Sequence, residues 1–351
     1  MTLHERLRID LQGIDAALRE VVETDHELPR PSDIYDGIQR LIAAGGKRLR
    51  PMLVMVGSRF GEPGREEQVR RTAALLEYMH MASLVHDDVI DNSELRRGKP
   101  TLHTLTDVST AVHTANYMMA RAVEWASSYE ADGVDGSVDK SADNNVDHSV
   151  DESVDDHADE DMLRSAQIAS IVTDLCIGEY GQLRNRFNFD MTMDQYLDKT
   201  RRKTALLMAE CLQAGGAASG ADKRTKSLLF EFGEAIGMSF QIKDDMLDFT
   251  ATEAAIGKPA GADLRNGNVT LPVLYALENE QLAPIIRALS AESSDAEMDD
   301  AIRLIRDSGA IERAAETAQA YGEHAYSLIA KLEPHPACAD LRLLADHFLR
   351  A

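Results

Sequence analysis

The chain has 351 residues, 44% of them hydrophobic and 5% aromatic, with 37 basic and 60 acidic side chains for a formal net charge of −23. That is enough apolar chain for one large domain or two small ones, and the acidic balance argues against nucleic acid as a partner. No N-terminal apolar segment resembles a signal peptide and no run reaches the length of a membrane span, so the expected location is the cytoplasm, without an integral membrane segment.

In chain order, the first punctuation is Gly45-Gly46, followed at once by Lys47-Arg48-Leu49-Arg50-Pro51. Residues 67–91 read as one long helix with Leu75, Leu76, Met79, Ala82 and Leu84 inward, ending in Asp87-Asp88-Val89-Ile90-Asp91. Five residues on, Arg96-Arg97-Gly98-Lys99-Pro100 brings a second group of cations. Residues 130–161 hold thirteen acids and one lysine, in a tetrapeptide pattern such as Ser-Val-Asp-Glu. A valine every fourth position offers too little apolar surface to offset ordering entropy, so a disordered insertion between two helices is expected there. Residues 162–187 and 201–214 are again periodic. Residues 225–249 form a further long apolar helix that carries Asp244-Asp245-Met246-Leu247-Asp248. Gly257-Lys258-Pro259 marks a loop. No stretch of strand length alternates with period two. The expected fold class is all-α, a large helical bundle with a central cavity and inward-facing metal sites.

The two aspartate clusters share the pattern DDxxD. On a helix the first and last aspartates lie four residues apart on one face, and the second lies beside them. Crowded carboxylates repel, and a divalent cation relieves the repulsion. Carboxylate oxygens suit Mg²⁺, which commonly bridges to substrate phosphates. With 34 aspartates in the chain, one such pattern arises by chance roughly 0.3 times. Asp155-Asp156-His157-Ala158-Asp159 also fits, and nothing apolar frames it. Val85, Val89 and Ile90 frame the first cluster; Ile242, Met246, Leu247 and Phe249 frame the second. The cations supply phosphate donors, arginine as a planar fork and lysine as a point charge. His80, seven residues before Asp87, shares its face, and Lys203-Thr204 and Lys258 add donors. Cys176, Cys211 and Cys338 form no metal signature and are expected to be buried thiols. Ten lysines against 27 arginines in an acidic chain suggest a salt-rich cytoplasm, such as that of a halophilic archaeon.

The strings GGKRLRP (45–51), HMASLVHDDVIDNSELRRGKPT (80–101), GEYGQ (178–182), KTALL (203–207), GMSFQIKDDMLDF (237–249) and GKPAGADLRNGNVTLP (257–272) together resemble the trans-isoprenyl diphosphate synthases. Medium- and long-chain synthases of quinone side chains look most similar, through the GNVTLP ending. The resemblance implies one isoprenoid-synthase domain over residues 1–351, a homodimer, and two to three Mg²⁺ ions. It implies head-to-tail condensation of an allylic diphosphate with isopentenyl diphosphate. Asp87, Asp91 and Asp244 would ligate Mg²⁺, and Asp88, Asp245 and Asp248 would complete the clusters or their water shells. Arg96, Lys203 and Lys258 would contact the allylic diphosphate; Lys47, Arg50, His80 and Arg97 would hold isopentenyl diphosphate; Phe240, Gln241 and Thr204 would line the cation. Ala115-Asn116 stands where the family usually has Gly-Asp. Small residues at Ala82 and Ser83, then adaptable Met79, would let the product grow beyond geranylgeranyl, into the hexaprenyl-to-octaprenyl range. A geranylgeranyl or farnesylgeranyl synthase, a non-catalytic subunit and a terpene cyclase are the alternatives.

Overall fold

The computed structural model describes residues 2–96, 98–131, 156–250 and 260–350. The first helices are α1 (Leu3–Leu7), α2 (Leu11–Glu23), α3 (Asp33–Ala44) and α4 (Leu49–Gly57), then α5 (Glu66–Ile90). A two-residue hairpin, β1 (Leu95–Arg96) and β2 (Lys99–Pro100), pairs Leu95 with Pro100 and Arg96 with Lys99 in antiparallel register. It is shorter than any strand that sequence alternation could reveal. Then come α6 (Leu102–Leu105), α7 (Val108–Ala131), α8 (Asp156–Arg184) and α9 (Met193–Thr200), a π-helical turn at Arg201–Ala205, α10 (Leu206–Ala218) and α11 (Lys223–Thr250). The chain closes with α12 (Ala262–Arg265), α13 (Leu271–Leu277), α14 (Ala283–Arg287), α15 (Asp295–Asp307), α16 (Ala310–Leu332) and α17 (Cys338–Arg350). The all-α bundle expected from periodicity is what forms. Among the described residues no helix is long and apolar enough to cross a membrane.

The described residues gather into two compact units, one from residues 1–11, 49–73 and 174–351, the other from residues 12–48 and 74–173. In the first, α11 packs most extensively against α16 and α10, and α10 also packs on α4. Two glycines explain how close α11 comes to its neighbours. A Cβ on Gly237 would lie 2.6 Å from Ala205 Cα, and one on Gly233 2.5 Å from Ala209 Cα. Only glycine permits that approach of backbone to backbone. The core below it joins Tyr196, Ile242, Phe249, Leu264 and Leu271 with the inner faces of α15 and α16. In the second unit α3 packs on α7, and Met79 and Ala82 of α5 are fully buried.

One expectation changes, and another falls largely outside the described residues. Of the segment 132–155, which includes most of the acidic insertion and Asp155, all lies outside the described residues, but its flanks are helical: α7 reaches Ala131 and α8 starts at Asp156. Cys176 is exposed rather than buried, unlike Cys211 and Cys338. It lies beside Ile177 on an outer face of α8.

Candidate active site

The α5 cluster ends a helix whose preceding turns are buried. Asp88 is 5% exposed and accepts a hydrogen bond from Arg96 Nε at 2.7 Å. Burial pushes its carboxyl up, while the Arg96 charge and hydrogen bond pull it down and the charge of Asp87 adds to the rise. Asp91 is exposed. The described side chains hold no ready-made group of three His, Cys, Asp or Glu donors arranged around one point. The fit of this turn to Mg²⁺ rests on its donor chemistry. Asp87 Oδ1 is buried and has no hydrogen-bond partner, an acceptor-only oxygen that a cation would satisfy.

The hairpin meets the Gly-Gly turn in this same unit, whereas Leu49–Pro51 belong to the other one. Lys99 Nζ donates to the Ala44 carbonyl at 3.0 Å, pinning the hairpin to the end of α3 beside Gly45 (φ 70°). Lys47 is exposed and Arg50 half-buried. Arg48, between them, is turned inward with φ at 49° and is 4% exposed. Its guanidinium reaches Asp15 (2.9 Å), Glu77 (3.0 Å) and the Ile42 carbonyl (3.1 Å). The sequence offers three cations after the Gly-Gly turn; the structure spends the middle one on the fold. His80 is 8% exposed on α5. His86 bonds Asn116, one of the two residues replacing the usual Gly-Asp pair, at 3.1 Å. Arg97 lies outside the described residues.

The α11 cluster is built differently. Asp244 is exposed, Asp248 Oδ2 accepts from the Asp263 N–H at 3.0 Å, and Asp245 is buried at 4% exposure. Tyr196 Oη donates to Asp245 Oδ2 at 2.6 Å and Gln241 Nε2 donates to Oδ1 at 2.9 Å. Burial and the charge of Asp263 push the Asp245 carboxyl up to about 7; the two hydrogen bonds and the Lys199 charge hold it down. Thr204 Oγ1 donates to Gln241 Oε1 at 2.8 Å.

Lys203 and Thr204 stand on the π-helical turn. Such turns add a residue to a helix and often mark functional positions. Lys203 Nζ bonds Gln182 (2.8 Å) and Glu179 (3.1 Å), both on α8. Gly178 lets α8 come close: a Cβ there would lie 3.2 Å from the Lys203 backbone nitrogen. Phe240 packs edge-on to Phe348 of α17, centroids 5.5 Å apart, and Lys243 holds the Leu349 carbonyl. Lys258 lies outside the described residues. Sequence reasoning assigned no role to Tyr196, Glu179 or Gln182. The GEYGQ string carried the last two, but nothing at Tyr196, buried and aromatic like any core residue, signalled a polar task.

A family model described as polyprenyl synthetase matches residues 31–305. Over 344 residues the chain is 37% identical to heptaprenyl diphosphate synthase component 2 of Geobacillus stearothermophilus, covering 98% of this chain and 96% of that protein. Among solved structures, heptaprenyl diphosphate synthase from Staphylococcus aureus superposes with a TM-score of 0.81 at 33% identity, covering 100% of this chain and 99% of that one. A decaprenyl diphosphate synthase from Rhodobacter capsulatus gives 0.80 at 31% identity, with 99% and 98% covered.

Proposed function

The chain belongs to the trans-isoprenyl diphosphate synthase (polyprenyl synthetase) family, and from that premise we infer a polyprenyl diphosphate synthase with a product longer than geranylgeranyl. The reaction would join an allylic diphosphate to isopentenyl diphosphate and release pyrophosphate. The observation that carries this reading is the contrast between the two second aspartates and Asp87. The second carboxylate is committed to the protein, by Arg96 at Asp88 and by Tyr196 and Gln241 at Asp245, and the first, Asp87, keeps a buried oxygen with no partner.

Asp87, Asp91 and Asp244 would hold Mg²⁺, which when bound offsets charge on the departing diphosphate. Arg96, Lys203 and Lys258 would grip the allylic diphosphate; Lys47, Arg50, His80 and Arg97 would orient isopentenyl diphosphate. Holding two reactants in register supplies a large share of the rate. The small side chains of Ala82 and Ser83, followed by adaptable Met79, support elongation past their level on α5. The relatives named heptaprenyl diphosphate synthase support a product of hexaprenyl-to-octaprenyl length, serving a quinone side chain. A homodimer acting as one domain over 1–351 fits the exposed apolar Ile177 and Tyr180 on α8 (49% and 63%). The acidic composition fits a salt-rich cytoplasm.

A second reading makes the chain one component of a two-component synthase, because two relatives are named component 2. The deciding experiment incubates purified protein with labelled isopentenyl diphosphate, Mg²⁺ and each allylic primer, and measures product lengths. Long products from the chain alone support the first reading. Turnover only after addition of a second protein supports the other, and no incorporation under either condition removes both.

A further inference from the structure

In the first unit, a run of hydrogen bonds starts at the second aspartate of the α11 cluster and ends on the residue beside Lys203. Its links are Tyr196 Oη to Asp245 Oδ2 (2.6 Å), Gln241 Nε2 to Asp245 Oδ1 (2.9 Å) and Thr204 Oγ1 to Gln241 Oε1 (2.8 Å). Tyr196 is fully buried and Asp245 nearly so, so water does not compete at the root. The geometry gives every link one direction. Asp245 accepts at both oxygens, from the Tyr196 hydroxyl and from the NH₂ end of the Gln241 amide. The carbonyl end then faces Thr204 and takes its only proton. What Thr204 has left to offer a ligand is its lone pairs, the negative end of the hydroxyl dipole.

We propose that Tyr196 and Asp245 are positioning residues that act through Gln241 to present Thr204 Oγ1 as an obligatory electron donor toward the allylic carbon of the substrate. The assignment rests on the prenyltransferase reading. When the carbon–oxygen bond of the allylic diphosphate breaks, both electrons leave on the diphosphate oxygen and positive charge stays on carbon. A dipole oriented beforehand stabilises that charge without reorganising during the reaction. A hydroxyl free to rotate would spend part of its time aiming its proton at the same carbon. In this arrangement Asp245 serves the fold of the site rather than the ligation of metal.

The test is a double-mutant cycle on T204V and D245N, with T204S and Y196F alongside. T204V lowers kcat by about 100-fold with little change in KM for isopentenyl diphosphate, as loss of one preorganised dipole does elsewhere. T204S restores most of that. D245N lowers kcat by about tenfold by freeing the Gln241 amide to turn, and adds no further loss in the T204V background. Y196F, which keeps the buried ring and removes only the hydroxyl, shows the same non-additivity at smaller amplitude. Calorimetric binding of inorganic pyrophosphate with Mg²⁺ is unchanged in D245N. If the D245N and T204V losses multiply, or D245N weakens pyrophosphate binding, the relay is wrong although the enzyme is a prenyltransferase. Wild-type protein that makes no product overturns the functional reading and the relay together.

Discussion

The aspartate turns of α5 and α11 have the same pattern and opposite surroundings. On α5 the second carboxylate is answered by a charge, the Arg96 guanidinium, whose side chain is 37% exposed. On α11 it is answered by neutral donors, Tyr196 and Gln241. The Arg96 end of the pair is open to solvent and can turn to a phosphate, provided a cation or a proton then answers the buried Asp88 carboxylate. Neutral, buried hydrogen bonds hold their geometry and carry a direction. The turns before each cluster differ in the same sense. Seven residues ahead of Asp244, Gly237 sets backbone against backbone, whereas the matching position on α5 is the side chain of His80. One turn is set to exchange partners, the other to stay still.

The largest effect that would break this comparison is at the first aspartates. D87N and D244N are each expected to lower turnover of labelled isopentenyl diphosphate by roughly 1,000-fold, the several kcal/mol that metal-assisted charge stabilisation supplies. Activity within tenfold of wild type in either would show that the first carboxylates are not the working ones. Next, G237A places a Cβ against Ala205 Cα. Overpacking costs about 1–3 kcal/mol, and against a backbone atom at 2.6 Å it outweighs the gain in helix propensity of about 1 kcal/mol. Chemical denaturation should show lower stability, and an unchanged midpoint would mean that α11 is not held rigidly.

On the α5 side, A82F fills a fully buried position one turn before the cluster. It is expected to shorten the product without abolishing condensation, as read by chromatography of the hydrolysed products. Identical chain lengths would remove Ala82 from the path of the growing tail. The smallest effect is D88N. It leaves Arg96 able to return to water, so the loss of stability is about 1 kcal/mol. A much larger drop would mean that the Arg96 pair is as fixed as the Tyr196 one.

The helices that carry both clusters were legible because their apolar periodicity is long: residues 67–91 and 225–249 differ by at most two residues at either end from α5 and α11. The partners of the second aspartates were not. Arg96 follows Asp88 by eight residues and appeared only as a donor to phosphate. Tyr196 precedes Asp245 by 49 residues, and buried aromatic residues usually need no partner beyond packing. The inward turn of Arg48 was not legible either, for a backbone reason. An arginine at positive φ is uncommon, and residue type gives no hint that the middle cation of GGKRLRP turns away from its neighbours. The π turn left no trace either, because residues 201–214 keep a periodic apolar pattern across it.

That turn makes the segment unusually intolerant of length change. Each residue of an α-helix advances the chain by about 100°. Deleting any one residue from Arg201–Ala205 would let α9 and α10 join as a regular helix, and would swing Tyr196 about 100° out of line with Asp245. The shortened protein would have better local hydrogen bonding and a disconnected relay. Related chains that align here with a one-residue gap should therefore also differ at the position of Tyr196.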